Sequence, residues 1–457
     1  MNKLPDSILE SCIIPLLPMR DAVETSLISR RWRHLWRPSV LTRRNLEFDY
    51  PNVFGSRPRK NDDLDKFVKE YIELYQGEKI DSLKVVQDDI LLPLISPGNL
   101  DDWVRFAIAK GVEEIQLLLE WSLFDHKHEL IFPGASSTLK HLTLRECDLR
   151  PAPDFDGFNN LRSLSLSYVT VDQIFMAHLL SNCLLLESLT IKYCNGLSHL
   201  SIVGDRLSDL KLSQCTRIEI SAPNLVSLEY SEDFASINFV RTPPHLARIV
   251  TEVVKMHPAV LSCLASFPEL ETLSLTHRKE CGELSQINSD LTFRNLKKLS
   301  LDLSHWNEYD NLDQLQSARD LLKAAPLLEE FILNDITFRD SDEGNHPHET
   351  RNNVECSGSF THDHLKRFEL QWFKGNWYEI EFAIWILKNA AKLEILVINL
   401  ARPFYYVNSA AGWSKDRIFL QEKLEQINKI MITYLVQFDQ VTMKSKHIYR
   451  CGWSGCK

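Results

Sequence analysis

The feature that most constrains this 457-residue chain is a single pattern that returns along most of its length. The spacing L-x-x-[L/F]-x-[L/I/Y] begins at Leu139, Leu161, Leu186, Leu207, Leu225, Leu270, Leu296, Leu328, Leu365 and Leu393, with weaker copies at Ile80 and Val112. In each copy the alternation puts two apolar side chains on one side of a short strand, for example Leu142 and Leu144, because successive strand residues point to opposite faces. One such unit cannot bury its own face, so the copies must stack, with the residues between them supplying a returning helix or loop. Successive strong copies start 18 to 45 residues apart, which predicts an irregular solenoid. The widest gap, from Leu225 to Leu270, predicts a degenerate repeat or an insertion. Repeated use of one pattern explains 68 leucines, against only 15 glycines. Low glycine has a chemical side as well: no G-x-G, G-x-S-x-G or H-E-x-x-H occurs, so nucleotide-fold, hydrolase and zinc-protease signatures are missing.

Three copies continue to a cysteine at one offset, Leu144-x-x-Cys147, Ile191-x-x-Cys194 and Leu212-x-x-Cys215. This resembles the cysteine-containing leucine-rich repeat. The resemblance implies that the cysteine is buried at the turn after the strand, where it can meet backbone donors. Ten cysteines without a C-x-x-C pair, no Asn-x-Ser/Thr sequon and an N-terminus carrying Asp6 and Glu10 predict a reducing cytoplasmic or nuclear setting, without secretion.

Strand residues pointing away from the core should line the concave face, where solenoids bind partners. The candidate positions are His141, Thr143 and Arg145; Ser163, Ser165 and Ser167; Ser188, Thr190 and Lys192; Asp209, Lys211 and Ser213; and Thr272, Ser274 and Thr276. Over nine copies, 13 of 27 such positions are Ser or Thr, five are basic and five acidic. That balance provides no basic stripe for phosphates, so nucleic acid is not an expected partner. A target protein is expected there; the alternative is a merely solvated face. Acyl-transfer chemistry would need a base beside those hydroxyls, and only His141 accompanies them.

Residues 1 to 60 hold 11 Lys/Arg against 6 Asp/Glu, in a chain whose net charge is −10, which marks a separate N-terminal module. Within it, Ile8, Leu9, Ile13, Ile14, Leu17, Val23, Leu27 and Ile28 recur at helical spacing, Pro5 suits a first turn, Pro18 ends a helix, and Asp21 can cap the next. That last helix is expected to present Trp32, Leu35 and Trp36. About forty residues cannot bury so much apolar surface alone, so a docking partner is expected. Leu4-Pro5, Leu17-Pro18-Met19-Arg20-Asp21-Ala22 and Ser29-Arg30-Arg31-Trp32-Arg33-x-Leu35-Trp36 look like an F-box. The resemblance implies a three-helix module that binds a Skp-type adaptor and, through it, cullin. It implies adaptor-contacting or module-core roles for Leu4, Pro5, Ile8, Leu9, Leu17, Pro18, Val23 and Leu27, with Trp32 and Trp36 on the same surface. The stretch from Pro5 to Pro18 is one residue longer than is usual in that family, and Pro15 falls where the family runs helical, so an interrupted first helix is expected.

Residues 340–359 are polar and turn-rich and read as a linker. Beyond them a strand through Phe368 and Leu370, a turn at Gly375, a helix from Tyr378 to Asn389 burying Ile380, Ala383, Ile384 and Leu387, and a strand at Leu396–Ile398 are predicted. With His364-Leu365-Lys366, Phe373-Lys374-Gly375 and Leu387-Lys388-Asn389-Ala390-x-x-Leu393-Glu394, this order resembles the FBD domain that accompanies F-boxes and leucine-rich repeats in plant proteins. Met431–Phe438 is apolar enough to pack. The pairs His126/His128, His346/His348 and His362/His364 lack partners at metal-site spacing, Cys451 and Cys456 lack a second pair, and Asp62, Asp63 and Asp65 read as a helix N-terminus rather than a calcium loop.

The sequence thus predicts an α/β chain: a helical F-box at 1–40, a connector with degenerate repeats at 41–110, leucine-rich repeats at 111–340, a linker loop at 341–355, an FBD-like closing unit at 356–410 and a divergent tail at 411–457. The resemblance as a whole implies the substrate receptor of an SCF-type ubiquitin ligase, non-catalytic, with no cofactor, metal or membrane. The other reading is a repeat scaffold that works without a ligase because its F-box is weakened.

Overall fold

The computed structural model describes residues 4–55, 63–87, 97–119, 128–132, 138–151, 155, 158–215, 217–253, 258–277, 291–303, 311–334, 360–373, 377–400 and 442–444. The predicted linker, the Gly375 turn, Met431–Phe438, Cys451 and Cys456, His126 and the His346/His348 pair lie outside these residues. The chain divides into two compact units, Met1–Leu225 with Ser236–Pro243, and Val226–Ala235 with Pro244–Lys457.

The first unit opens with short helices, Met19–Glu24 and Trp32–Leu41 among them, and then enters a parallel sheet. Its strands are β1 (Asn45–Phe48), β2 (Ser82–Val86), β3 (Glu114–Leu118), β4 (His128–Phe132), β5 (His141–Arg145), β6 (Cys147–Pro151), β7 (Ser163–Ser167), β8 (Thr170–Val171), β9 (Ser188–Lys192), β10 (His199–Val203), β11 (Asp209–Leu212) and β12 (Arg217–Ser221). In the second unit β13 (Ser227–Asp233) begins another run, while β14 (Ile237–Phe239) belongs to the first unit. The second unit continues with β15 (Arg248–Val253), β16 (Thr272–His277), β17 (Lys298–Asp302), β18 (Glu330–Asn334), β19 (Arg367–Phe373), β20 (Ile395–Leu400) and β21 (Thr442–Lys444).

In the first unit β1, β2, β3, β5, β7, β9 and β11 pair in that order, all parallel. Every predicted copy start in this unit, from Ile80 to Leu225, is buried just before or beside its strand. The register carries the repeat: Leu117, Leu144, Leu166, Ile191 and Leu212 align across neighbouring strands and are at most 1% exposed. At about 25 cal/mol per Å² of apolar surface removed from water, this inward row is the main cohesive term. The residues between strands return by helices, such as Pro97–Ala109 and Gln173–Asn182, and in two places by strands instead. The small parallel sheets β4-β6-β8 and β10-β12-β14 do this, with the alternation along β10 burying Leu200 and Ile202.

In the second unit β13, β15, β16, β17, β18, β19, β20 and β21 pair in order, again parallel. The gap after Leu225 holds a degenerate repeat: Leu246 precedes β15, where Ile249 takes one inward place and Thr251 takes the other. Thr251 is 2% exposed and its hydroxyl donates to the Glu252 carbonyl at 3.2 Å, which allows a polar side chain in an apolar row. The stretch after the predicted linker forms β19, the helix Trp377–Asn389 and β20, with β19 added in parallel to β18. The buried side of that helix is Phe382, Ala383, Ile386 and Leu387; Ile384, expected inside, is half-buried, because the helix is phased by Phe382 against Phe331 and Phe368. The side chain of Ile380 is outside the described set. Among the described residues no helix is long and apolar enough to cross a membrane.

Candidate functional site

Two surfaces of the first unit carry exposed groups that the fold does not consume. The first is N-terminal. Its helical start has three turns of different pitch, Asp6–Ile8, Leu9–Ile13 and Ile14–Leu16. The Ile14 N–H reaches back five residues to the Leu9 carbonyl, a π turn, and the Leu17 N–H reaches back only three, to Ile14 at 3.1 Å. A π turn holds one residue more than an α turn. The extra residue between Pro5 and Pro18 is therefore taken up in one wide turn, and Pro15 sits in the tight turn after it, where its missing N–H is harmless. Arg43 secures the end: its guanidinium donates to the Ile14 and Leu17 carbonyls at 3.0 and 2.8 Å, and burial lowers its pKa below the usual arginine value.

This geometry splits the sequence-derived set. Leu9 and Trp32 are core, 0% and 2% exposed, and Leu35 is buried beside them, so none of the three is presented to a partner. Trp36 and Leu17 are half-buried. Leu4, Pro5, Ile8, Pro18, Val23 and Leu27 are exposed. Two further residues join them that spacing alone did not single out as contacts: Leu16 at 84% exposure and Ile28 at 62%. Leu16 turns outward because the tight turn at Pro15 shifts the helical phase, a signal that the proline does carry in the sequence. Beneath this apolar side the module is tied to the helices Tyr50–Phe54 and Leu64–Leu74. Met19 N–H donates to Asn52 Oδ1 at 2.8 Å, Arg20 to the Phe54 carbonyl at 2.7 Å, and the Tyr71 hydroxyl to the Val40 carbonyl at 2.6 Å. Burial raises the Tyr71 pKa, so its hydroxyl stays a donor. Asp63 caps the second of these helices by accepting from Lys66 N–H at 3.1 Å.

The second surface is the outward side of β5, β7, β9 and β11. His141 and Arg145 are exposed; Thr143, Ser163, Ser165, Ser188, Thr190, Lys192 and Lys211 are half-exposed. Register sets them in rows, Thr143–Ser165–Thr190–Lys211 and Arg145–Ser167–Lys192. Ser213 is the exception: it is 1% exposed and its hydroxyl accepts the Tyr193 N–H at 3.1 Å. The turn after each strand has one residue with positive φ, directly after β5, β7 and β9 and two residues after β11: Glu146 (59°), Tyr168 (57°), Tyr193 (55°) and Gln214 (59°). Each stands directly before a buried residue, Cys147, Val169, Cys194 or Cys215. Left-handed turns usually call for glycine; here other side chains hold them, which accounts for part of the glycine shortage. The thiols also reach carbonyls. Cys194 Sγ donates to the Leu166 and Lys192 carbonyls at 3.6 Å and Cys215 Sγ to the Ser213 carbonyl at 3.7 Å. At the opposite ends of the strands Glu113 lies between Lys79 and Lys140, both at 2.7 Å, and these two cations hold its carboxyl down to about 2.

In the second unit His362, one of the paired histidines, is buried and structural. Its Nε2 donates to the Ala325 carbonyl at 3.0 Å, while Nδ1 accepts the Leu365 N–H at 3.1 Å, and burial lowers its pKa.

Residues 77–433 match the family model described as At1g61320/AtMIF1, LRR domain. Among curated relatives from Arabidopsis thaliana, F-box/FBD/LRR-repeat protein At1g13570 is 30% identical over 54% of this chain and 52% of its own length. F-box/LRR-repeat protein At3g03360 is 30% identical over 48% and 44%, and FBD-associated F-box protein At4g10400 is 26% identical over 87% and 92%. The chain spans about half the length of the first two. The names of these relatives describe F-box and repeat proteins, and none describes an enzyme.

Proposed function

Since the chain belongs to the leucine-rich-repeat family of At1g61320/AtMIF1 and, with it, to the plant F-box/leucine-rich-repeat/FBD proteins, we propose that it is the non-catalytic target receptor of an SCF-type ubiquitin ligase. In this reading the N-terminal helices are an F-box that docks a Skp-type adaptor and through it cullin, the repeats hold a target protein, and the strand-helix-strand unit at 360–400 is the FBD element that ends the repeat array. Holding the target near the conjugating enzyme raises its effective concentration there, and no reactive side chain is required of the receptor. The reading puts the chain in the cytoplasm, the nucleus or both.

The observation that carries it is the exposed apolar set Leu4, Ile8, Leu16, Val23, Leu27 and Ile28 on a module too small to hide it. An apolar patch of that density on a soluble module points to a protein partner. The test is co-purification of the full chain with a Skp-type adaptor, for wild type and for Leu16→Asp/Leu27→Asp. Both side chains are more than 80% exposed, so the variant keeps its fold, and at least about tenfold weaker association is expected. Failure of the native chain to associate overturns the receptor reading and leaves the ligase-free scaffold.

A further inference from the structure

The outward side of the helix Trp32–Leu41 is basic. Its inward residues Trp32, Leu35, Ser39 and Val40 are buried, while Arg33, His34, Arg37 and Pro38 on the other side are exposed, with Arg30 exposed on the turn before the helix. Arg30, Arg33 and Arg37 follow the helical period of three and four residues, and the Arg33 N–H, donating to the Ser29 carbonyl at 3.2 Å, joins that turn to the helix. Neighbouring cations of the module are answered, Arg20 by Glu24 at 2.8 Å, Arg31 by Asp6 at 2.5 Å and Arg44 by Asp81 at 2.6 Å. Among the described residues no carboxylate pairs with Arg30, Arg33 or Arg37. Arg33 and Arg37, one turn apart, repel each other where a Glu at either place would support the helix, so folding gains nothing from this choice of charge.

This basic side adjoins the exposed apolar set. Ile28 precedes Arg30 by two residues, which the chain spans in at most about 7 Å. Arg31 ties the helix to the start of the module, because its guanidinium donates to the Asp6 carboxylate and to the Leu4 carbonyl. Leu4 is therefore held beside the turn that carries Ile28 and Arg30. An apolar centre with a charged border is the anatomy of a protein-binding surface. Sign narrows the partner: residues 1–60 hold 11 Lys/Arg against 6 Asp/Glu in a chain whose net charge is −10. A long polyanion would meet an acidic remainder, whereas a short acidic segment of a protein seated on the apolar set meets the arginines alone.

We propose that Arg30, Arg33 and Arg37 receive an acidic segment of the Skp-type adaptor that docks on the apolar set, so that the adaptor is recognised by two neighbouring surfaces of different chemistry. Arg33 and Arg37 are four residues of helix apart, about 6 Å along its axis, close to the spacing of about 7 Å between alternate side chains of an extended peptide. Two carboxylates of such a segment can thus each meet one guanidinium. A planar guanidinium takes a carboxylate through two parallel hydrogen bonds, which fixes orientation as well as attraction. Charges at the border of an interface act on the rate of encounter more than on the final affinity. The proposal rests on the receptor reading and adds how the adaptor is steered to the module.

Association of the full chain with a Skp-type adaptor is followed by surface plasmon resonance at about 50 mM and about 500 mM NaCl. For Arg30→Glu/Arg33→Glu/Arg37→Glu an association rate about tenfold below wild type is expected at the low salt, with the two converging to within about twofold at the high salt. All three side chains are exposed, so an unchanged unfolding temperature is expected. Lys66→Glu/Lys69→Glu, which reverses two exposed charges on the helix Leu64–Leu74, should stay within about twofold of wild type. With p-benzoyl-phenylalanine in place of Arg37, the stretch of the adaptor that becomes cross-linked should be rich in Asp and Glu. A rate within about twofold of wild type in the arginine variant, an equal loss in the lysine variant, or a cross-link to a stretch without acidic residues overturns the proposal. So does arginine-dependent binding of phosphatidylserine vesicles or of a single-stranded oligothymidine that the adaptor does not displace. An adaptor that binds the native chain and the arginine variant at the same rate sinks only this proposal; one that does not bind the native chain sinks the receptor reading with it.

Discussion

The outward sides of β17 to β20 in one unit and of β5 to β9 in the other carry different polar residues. On β17 to β20 the charges answer one another across neighbouring strands: Lys298 pairs with Glu330 at 3.0 Å, Arg367 with Glu330 at 3.3 Å and Glu369 at 2.6 Å, and Asn399 donates to Glu369 at 2.8 Å. On β5 to β9 the same positions hold hydroxyls, a histidine and two cations with no carboxylate among them. The inward rows are alike, with Leu144, Leu166 and Ile191 in one unit matching Leu301 and Leu333 in the other. A parallel array of this kind fixes only the inward row; the outward row is left to be closed on itself or offered to a partner.

The largest expected effect tests the shared half of that contrast. Leu166→Ala and Leu301→Ala remove side chains that are 0% exposed, and each should cost about 3 kcal/mol in urea unfolding. A loss confined to one variant would mean that the inward rows are not equivalent. Next is His362→Phe, which leaves the Ala325 carbonyl and the Leu365 N–H without their partner and should cost about 2 kcal/mol near neutral pH. The His362 pKa in the fold lies below 6.5, so its contribution is complete above that value. As pH falls through it, the unfolded chain takes up a proton that the folded chain resists, and the gap between wild type and variant should narrow. Thermal unfolding at several pH values checks this; a constant gap would remove the histidine from the account.

Glu330→Gln breaks two partly exposed ion pairs and should cost about 0.5–1 kcal/mol, less at high salt, with measurable coupling to Arg367 in a double-mutant cycle. The smallest effect belongs to the other face: Ser165→Ala and Thr190→Val should change stability by no more than about 0.5 kcal/mol. A loss well above that would make the hydroxyl face structural and erase the contrast.

The inward row was fully legible, because Leu-x-x-Leu-x-Leu states both period and register. The repeat at β15 was readable only as a gap, since Thr251 occupies a place where the pattern expects an apolar residue and is tolerated through its own hydrogen bonds. The returning strands β10 and β12 carry the period-two alternation of Leu200/Ile202 and Ile218/Ile220, but a repeat reading that assigns the spaces between strands to helices passes over it. On the N-terminal module composition identified the apolar excess, whereas the sorting of Trp32 inward and Leu16 outward goes with the π turn and with Arg43, a contact 29 residues away in sequence from Ile14. Likewise, counting charges over the whole outward face yields neutrality, and only the strand order reveals which of them meet, as Lys298 meets Glu330 and Arg367 meets Glu330.

The wide turn at Leu9–Ile13 has a consequence for length. An added residue in an α-helix rotates everything beyond it by about 100°, so an insertion is an angular error that would carry every later contact residue to another side. Here the added residue is confined to one turn, and a tighter turn follows it directly. The first helix thus absorbs a change of length as a change of local pitch, from an α turn at Asp6–Ile8 to a π turn at Leu9–Ile13 and a 3-10 turn at Ile14–Leu16.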